Sequence, residues 1–233
     1  MSESLRQKQL NIIKSDTGFS DPGIGKIYRN SAKFFAYLFI RTKLTPNQIT
    51  VIGLVLGLVA CFLLLKGNYY LNILAVAIFH IRLIFDFVDG MVARAKNMCS
   101  DYGEWLDRIF DRLIDPMLIS CVAFALYQQT GDFLVWVFAL IAVIGIMFNS
   151  SLLTITKLNY PDIDKEVKTK VEVANILKYF VFSIINFYLL FTLLTIFNQL
   201  YLFLIIVAIY SNLFYFTSLI YLMIKLKRNN SKL

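Results

Sequence analysis

Six apolar runs of about twenty residues divide the chain, at roughly 48–65, 71–92, 106–127, 133–155, 176–197 and 200–224. A helix rising 1.5 Å per residue needs about twenty such residues to cross a bilayer. The pattern predicts an all-α integral membrane protein with six transmembrane helices over 45–225. A basic tail at 226–233 follows. Ahead of the first run, residues 1–25 carry Ser, Asp and Gly with a turn signal at Asp21-Pro22-Gly23, and read as a flexible or loosely docked tail. Residues 26–44 interleave Tyr28, Phe35 and Phe39 with Lys26, Arg29, Lys33, Arg41 and Lys43, a mixture suited to an amphipathic helix lying along the membrane interface; a short extension of the first span is the other reading. Thr45-Pro46-Asn47 punctuates the chain, with Pro suited to a first helical turn. Gly53 and Gly57 form a GxxxG pair that permits close helix packing, within one chain or between two.

Composition agrees with this picture. The chain is 58% hydrophobic with 21 Phe and 13 Tyr, and nothing at its amino end resembles a cleavable secretory signal. The formal charge of +8 raises nucleic acid as a partner. Lys and Arg lie in loops beside apolar runs, however, which suits anionic lipid headgroups better, so membrane lipid and no nucleic acid is expected. Cys61, Cys99 and Cys121 lack CxxC spacing and clustered His, and read as packing residues. In a six-span plan, segments 1–47, 93–105, 156–175 and 225–233 share one side and hold 18 Lys or Arg; the other side holds only Lys66. Positive residues are retained in the cytoplasm, which places both termini there, with the cell membrane as the expected location.

Against this background five aspartates stand out within the second and third runs: Asp86, Asp89, Asp107, Asp111 and Asp115. At roughly 2.5–3.5 kcal/mol each on insertion scales, five isolated central Asp would cost about 12–17 kcal/mol. They need a position near the membrane surface, neutralising cations, or both. Asp86 and Asp89 lie one helical turn apart, and Gly90, Ala93 and Arg94 continue that face with small residues and a fixed positive charge suited to phosphate. Gly103, Asp107, Asp111 and Asp115 recur every four residues on the next helix. Carboxylates without His or Cys favour hard cations such as Mg²⁺ or Mn²⁺, and four converging Asp suggest two of them. Paired divalent cations ordinarily bridge phosphate oxygens during displacement at phosphorus, which points to a diphosphate-bearing ligand.

The run Asp86-x₂-Asp89-Gly90-x₂-Ala93-Arg94-x₈-Gly103-x₃-Asp107-x₃-Asp111 resembles, at every specified position, the signature of the CDP-alcohol phosphatidyltransferase family. The likeness extends to the TPNQIT entry of the first span and covers about residues 27–225. It implies transfer of a substituted phosphoryl group from a CDP-linked lipid, commonly CDP-diacylglycerol, to the hydroxyl of a small polar acceptor, with release of CMP. It also implies that Asp86, Asp89, Asp107 and Asp111 hold two divalent cations, with Asp111 doubling as general base. Asp86, Gly90, Ala93, Arg94 and Gly103 would bind CDP, and a homodimer is expected. The tract LDRIFDRLID resembles members that use inositol phosphates. Glycerol 3-phosphate, serine, and diacylglycerol with an amino alcohol donor stay open.

Around the signature, Arg82, Arg112 and Asp115 are candidate acceptor contacts; each Arg has neutralisation of a neighbouring Asp as its alternative, and Asp115 the partnering of an Arg. For Arg108 neutralisation is favoured. Pro116 is expected to bend its helix. His80, the only histidine, reads as a packing residue, and Asn47 and Thr50 as residues near the nucleotide. Two readings of other kinds fit the sequence less well. A cation-coupled transporter lacks a matching acidic relay in the last three spans. An adaptor without activity is disfavoured by the complete signature.

Overall fold

The computed structural model describes residues 3–15, 24–161 and 184–230. Eight helices account for nearly all of them: α1 (Glu3–Ser15), α2 (Ile24–Phe39), α3 (Pro46–Leu64), α4 (Tyr69–Lys96), α5 (Asp101–Thr130), α6 (Leu134–Asn159), α7 (Ile184–Ile196) and α8 (Leu200–Asn230). Strands are absent among the described residues. Four helices, α3, α4, α6 and α8, are long and apolar enough to cross a membrane. The expected third span lies within α5, whose first half is heavily charged, and the expected fifth lies on α7, with 176–183 outside the described residues.

Local chemistry sets the helix ends that matter for the site. Thr45 and Gln48 form a reciprocal capping box at the start of α3: Gln48 N–H donates to Thr45 Oγ1 at 3.3 Å, and Thr45 N–H to Gln48 Oε1 at 2.9 Å. Pro46 then occupies the first helical position, where its missing N–H costs nothing. At the end of α4, Asn97 adopts φ 54° and Met98 N–H donates to Ala93 O at 2.8 Å, a Schellman closure. Ser100 caps α5 through Gly103 N–H, at 3.1 Å.

The described residues fall into two compact units. One gathers those of Met1–Leu64 and Tyr70–Asp115, the other those of Leu65–Tyr69 and Pro116–Leu233. In the first unit, Ile13, Ala32, Ala36, Ile49, Val88, Met91 and Val92 form a buried cluster drawn from α1, α2, α3 and α4. Residues 3–15, expected to belong to a tail, are thus helical, and the reason is visible in Ile13, which is fully buried, and in Lys33 Nζ, which donates to Lys14 O at 3.1 Å. On α2, Tyr28, Ala32 and Ala36, and just past its end Ile40, recur every four residues and face inward, while Ile27, Phe34 and Leu38 are exposed. Tyr28 Oη and His80 Nδ1 are hydrogen-bonded at 2.5 Å with their rings stacked, so His80 packs as expected. Lys96 Nζ reaches the carbonyls of Thr42 and Leu44, at 2.9 and 2.7 Å, and ties the α2–α3 connection to the end of α4.

The GxxxG pair turns inward within this unit. A Cβ at Gly57 would stand 2.8 Å from Ile114 Cδ1 and 3.1 Å from Arg82 Cδ, and one at Gly53 would stand 3.9 Å from Phe85 Cβ. Of the two readings open in the sequence, packing within one chain is the one observed.

In the second unit α6 packs along α8. Asn212 Nδ2 donates to Ile141 O at 2.8 Å, and Ser211 Oγ lies 3.4 Å from Ala142 O. Leu140, Ile144 and Phe148 on α6 and Ile209, Leu213 and Ile220 on α8 are exposed, a density of outward apolar residues suited to lipid contact. Pro116 sits inside α5 at the boundary between the two units.

Candidate active site

The first unit brings the signature acids together. Asp86 comes from α4, Asp107 and Asp111 from α5, and carboxylate oxygens of these three lie within 4.8 Å of one another. Helical spacing is the cause: Asp107 and Asp111 are one turn apart on one face of α5, turned toward Asp86 on α4. Asp86 and Asp107 thus face each other from neighbouring helices, carboxylate to carboxylate. Two carboxylates in that relation need a proton or a cation between them, because like charges repel strongly where water is scarce. A cavity of about 10 Å³, the size of one water, is bordered by these three acids with Thr50, Arg82 and Asp89. An all-oxygen donor set of this kind fits Mg²⁺ or Mn²⁺.

Asp89 stands beside the triple rather than in it. It is buried, and Thr50 Oγ1 donates to its Oδ2 at 2.6 Å from the second turn of α3. Arg82, 4% exposed, pairs with Asp111 through Nη2 and Oδ1 at 2.5 Å. This ion pair is in keeping with the neutralisation reading of Arg82.

A larger cleft of about 490 Å³ adjoins Asp89 and Asp107. Gly90, Ala93, Arg94 and Gly103 all line it, as do Pro46, Asn47 and Thr50 from α3. Asp86 borders the small cavity instead. The small residues earn their positions by what lies over them. Arg94 folds back on Gly90, its Nη1 3.3 Å from where a Cβ would stand, and a Cβ at Gly103 would meet Asn47 Oδ1 at 3.0 Å. The cleft is exposed, combines one cation with open backbone, and has the dimensions of a small-molecule site.

Met98, Ser100, Asp101 and Glu104 also line the cleft without having been singled out in the sequence, and so does Cys99, which is exposed here rather than packed, whereas Cys61 and Cys121 are buried as expected. Only the Ser100 cap carried a signal, and that signal concerned helix geometry. Arg108 pairs with Glu104 one turn earlier, a glutamate rather than the neighbouring Asp107 that was expected. Arg112 and Asp115 are half-buried and border neither cavity.

Residues 43–211 match the family model for CDP-alcohol phosphatidyltransferase. The chain belongs to that family. A bifunctional IPC transferase and DIPP synthase from Aquifex aeolicus is 32% identical over 142 residues, covering 59% of this chain and 31% of the relative. An archaetidylinositol phosphate synthase from Pyrococcus horikoshii is 37% identical over 82 residues, covering 34% of this chain and 41% of the relative. The matched region thus spans well under half the length of these relatives. The crystal structure of Mycobacterium tuberculosis phosphatidylinositol phosphate synthase with CDP-DAG bound shares the fold, with a TM-score of 0.58 at 17% identity over 82% of this chain and 92% of that one. Its agreement extends over most of both chains, so the helical plan is that of a family member.

Proposed function

We propose that the protein transfers a substituted phosphoryl group from a CDP-linked lipid, CDP-diacylglycerol or a related donor, to the hydroxyl of an inositol phosphate, releasing CMP. The observation that carries this reading is the juxtaposition of the Asp86, Asp107 and Asp111 carboxylates with a cleft lined by Gly90, Ala93, Arg94 and Gly103. The inositol-containing products named for two relatives support the acceptor class. Glycerol 3-phosphate is the principal alternative acceptor.

Asp86, Asp89, Asp107 and Asp111 would hold two divalent cations. Bound there, the cations would supply electron withdrawal from the phosphorus under attack and stabilise the departing CMP. The chain's own residues do the rest. Arg94 offers a fixed charge to the diphosphate, and Gly90 and Gly103 let it approach the backbone. Asp111 accepts the proton of the acceptor hydroxyl. The termini and the site face the cytoplasm, α2 lies in the headgroup region, and two copies associate as a homodimer.

Purified protein should release CMP from CDP-diacylglycerol with inositol phosphate only when Mg²⁺ or Mn²⁺ is supplied. Absence of metal-dependent release across a panel of donors and acceptors would overturn the reading. Release surviving Asp111→Asn would remove the base assignment, and faster turnover with glycerol 3-phosphate would reassign the acceptor.

A further inference from the structure

The acid cluster contains a cation of its own. Arg82 sits one turn before Asp86 on α4, and its guanidinium crosses to Asp111 on α5, with Nη2 2.5 Å from Oδ1. At 4% exposure it is sealed from the solvent from which a soluble acceptor arrives. Turning to such an acceptor would require Arg82 to break an ion pair already formed at 2.5 Å with a carboxylate that is about one-third exposed, while its own charge stays buried, an unfavourable exchange. The stem is held as closely as the head. Gly57 on α3 is where Arg82 Cδ and Ile114 Cδ1 both press, and a Cβ there would stand 3.1 and 2.8 Å from them. Three helices therefore converge on one ion pair, and a glycine makes the convergence possible.

We infer that Arg82, seated against Gly57, is a positioning residue that fixes the Asp111 carboxylate and offsets part of the negative charge of the acid cluster. This rests on the proposed use of the site as a metal-dependent transferase centre. Holding Oδ1 removes rotation about the carboxylate and sets how Asp111 faces the small cavity. The same positive charge opposes a divalent cation bound by the neighbouring acids, so removing it affects turnover and metal affinity in opposite directions. An ordinary packing residue would lower both together.

The test compares Arg82→Met, Arg82→Lys and Gly57→Ala with wild type in full-length protein, measuring kcat and KM for CMP release and, separately, Mn²⁺ affinity without substrate by electron paramagnetic resonance. Arg82→Met is expected to lower kcat at least about 30-fold, to leave both KM values within about threefold, and to bind Mn²⁺ at least about fivefold more tightly. Arg82→Lys should recover at least about a third of wild-type kcat and wild-type Mn²⁺ affinity. Gly57→Ala should lower kcat at unchanged Mn²⁺ affinity, because every charge is retained. Raised acceptor KM with kcat preserved, or weaker or unchanged Mn²⁺ binding in Arg82→Met, overturns the inference. If Arg82→Met does not fold, Gly57→Ala decides: unaltered kcat overturns it. If wild type releases no CMP from any donor, the transferase reading fails, while the Mn²⁺ comparison between wild type and Arg82→Met still decides the role of Arg82.

Discussion

Replacing Thr50 with Val tests how the start of α3 is coupled to the acids of α4. The two side chains are nearly isosteric, so the change removes one hydroxyl and leaves the packing volume. That hydroxyl donates to Asp89 Oδ2 at 2.6 Å, and Asp89 is only 7% exposed. A hydrogen bond to a charged group contributes about 1.5–3 kcal/mol, and a buried acceptor left without its donor loses desolvation energy as well. Asp89 also borders the open cleft, where water can replace part of what the hydroxyl supplied, which places the expected loss near the lower bound, about 1.5–2 kcal/mol. For a chain of this size that corresponds to roughly 3–8 °C in thermal midpoint. Unfolding followed by tryptophan fluorescence in detergent with EDTA isolates the protein's own interactions, and Thr50→Ser should restore most of the loss. With metal present, the variant should also show a raised KM for the CDP-linked donor, because Asp89 and Thr50 both line the cleft. A midpoint within about 1 °C of wild type, together with an unchanged KM, would refute the coupling.

Thr45→Ala removes the side-chain half of the α3 capping box and should cost about 1 kcal/mol, read as a lower thermal midpoint with an unchanged acceptor preference. Lys96→Met frees the Thr42 and Leu44 carbonyls that shape the entry to α3; the expected result is a loss of about 1–2 kcal/mol and a donor KM raised more than kcat is lowered. Asp132 supplies a pH dependence. The Tyr201 hydroxyl donates to its Oδ2 at 2.7 Å and holds the carboxyl below its ordinary value of 3.8, with Leu134 N–H adding to the effect. Because the folded value is the lower one, this contact stabilises the protein above about pH 4 and is lost as pH falls through the folded value. The thermal midpoint of wild type should therefore exceed that of Tyr201→Phe at neutral pH, and the two should converge in acid; a constant difference would contradict the assignment.

Much of this protein was legible from one dimension. Apolar run length marked four of the six expected spans as helices of spanning length among the described residues, because a bilayer sets a length and a backbone in lipid must satisfy its own hydrogen bonds. The Thr45-Pro46 start of α3 is local chemistry and matched to within two residues. Spacing of three and four placed Asp86 beside Asp89 and Asp107 beside Asp111, since a helix puts such residues on one face. Residues 3–15 were not legible: a polar segment with few apolar positions becomes a docked helix only because Ile13 finds a pocket against α2.

What sequence spacing alone determined is which residues share a helix face and which chemistry that face offers. Which faces meet is a matter of tertiary contact. Arg82 pairs with Asp111, 29 residues away, and Thr50 with Asp89, 39 residues away. No helical period relates either pair, and only the packing of α3, α4 and α5 chose them. Gly57 belongs to the same class: as a letter it permitted two kinds of close approach, and the side chains of Arg82 and Ile114 decided which one the chain uses.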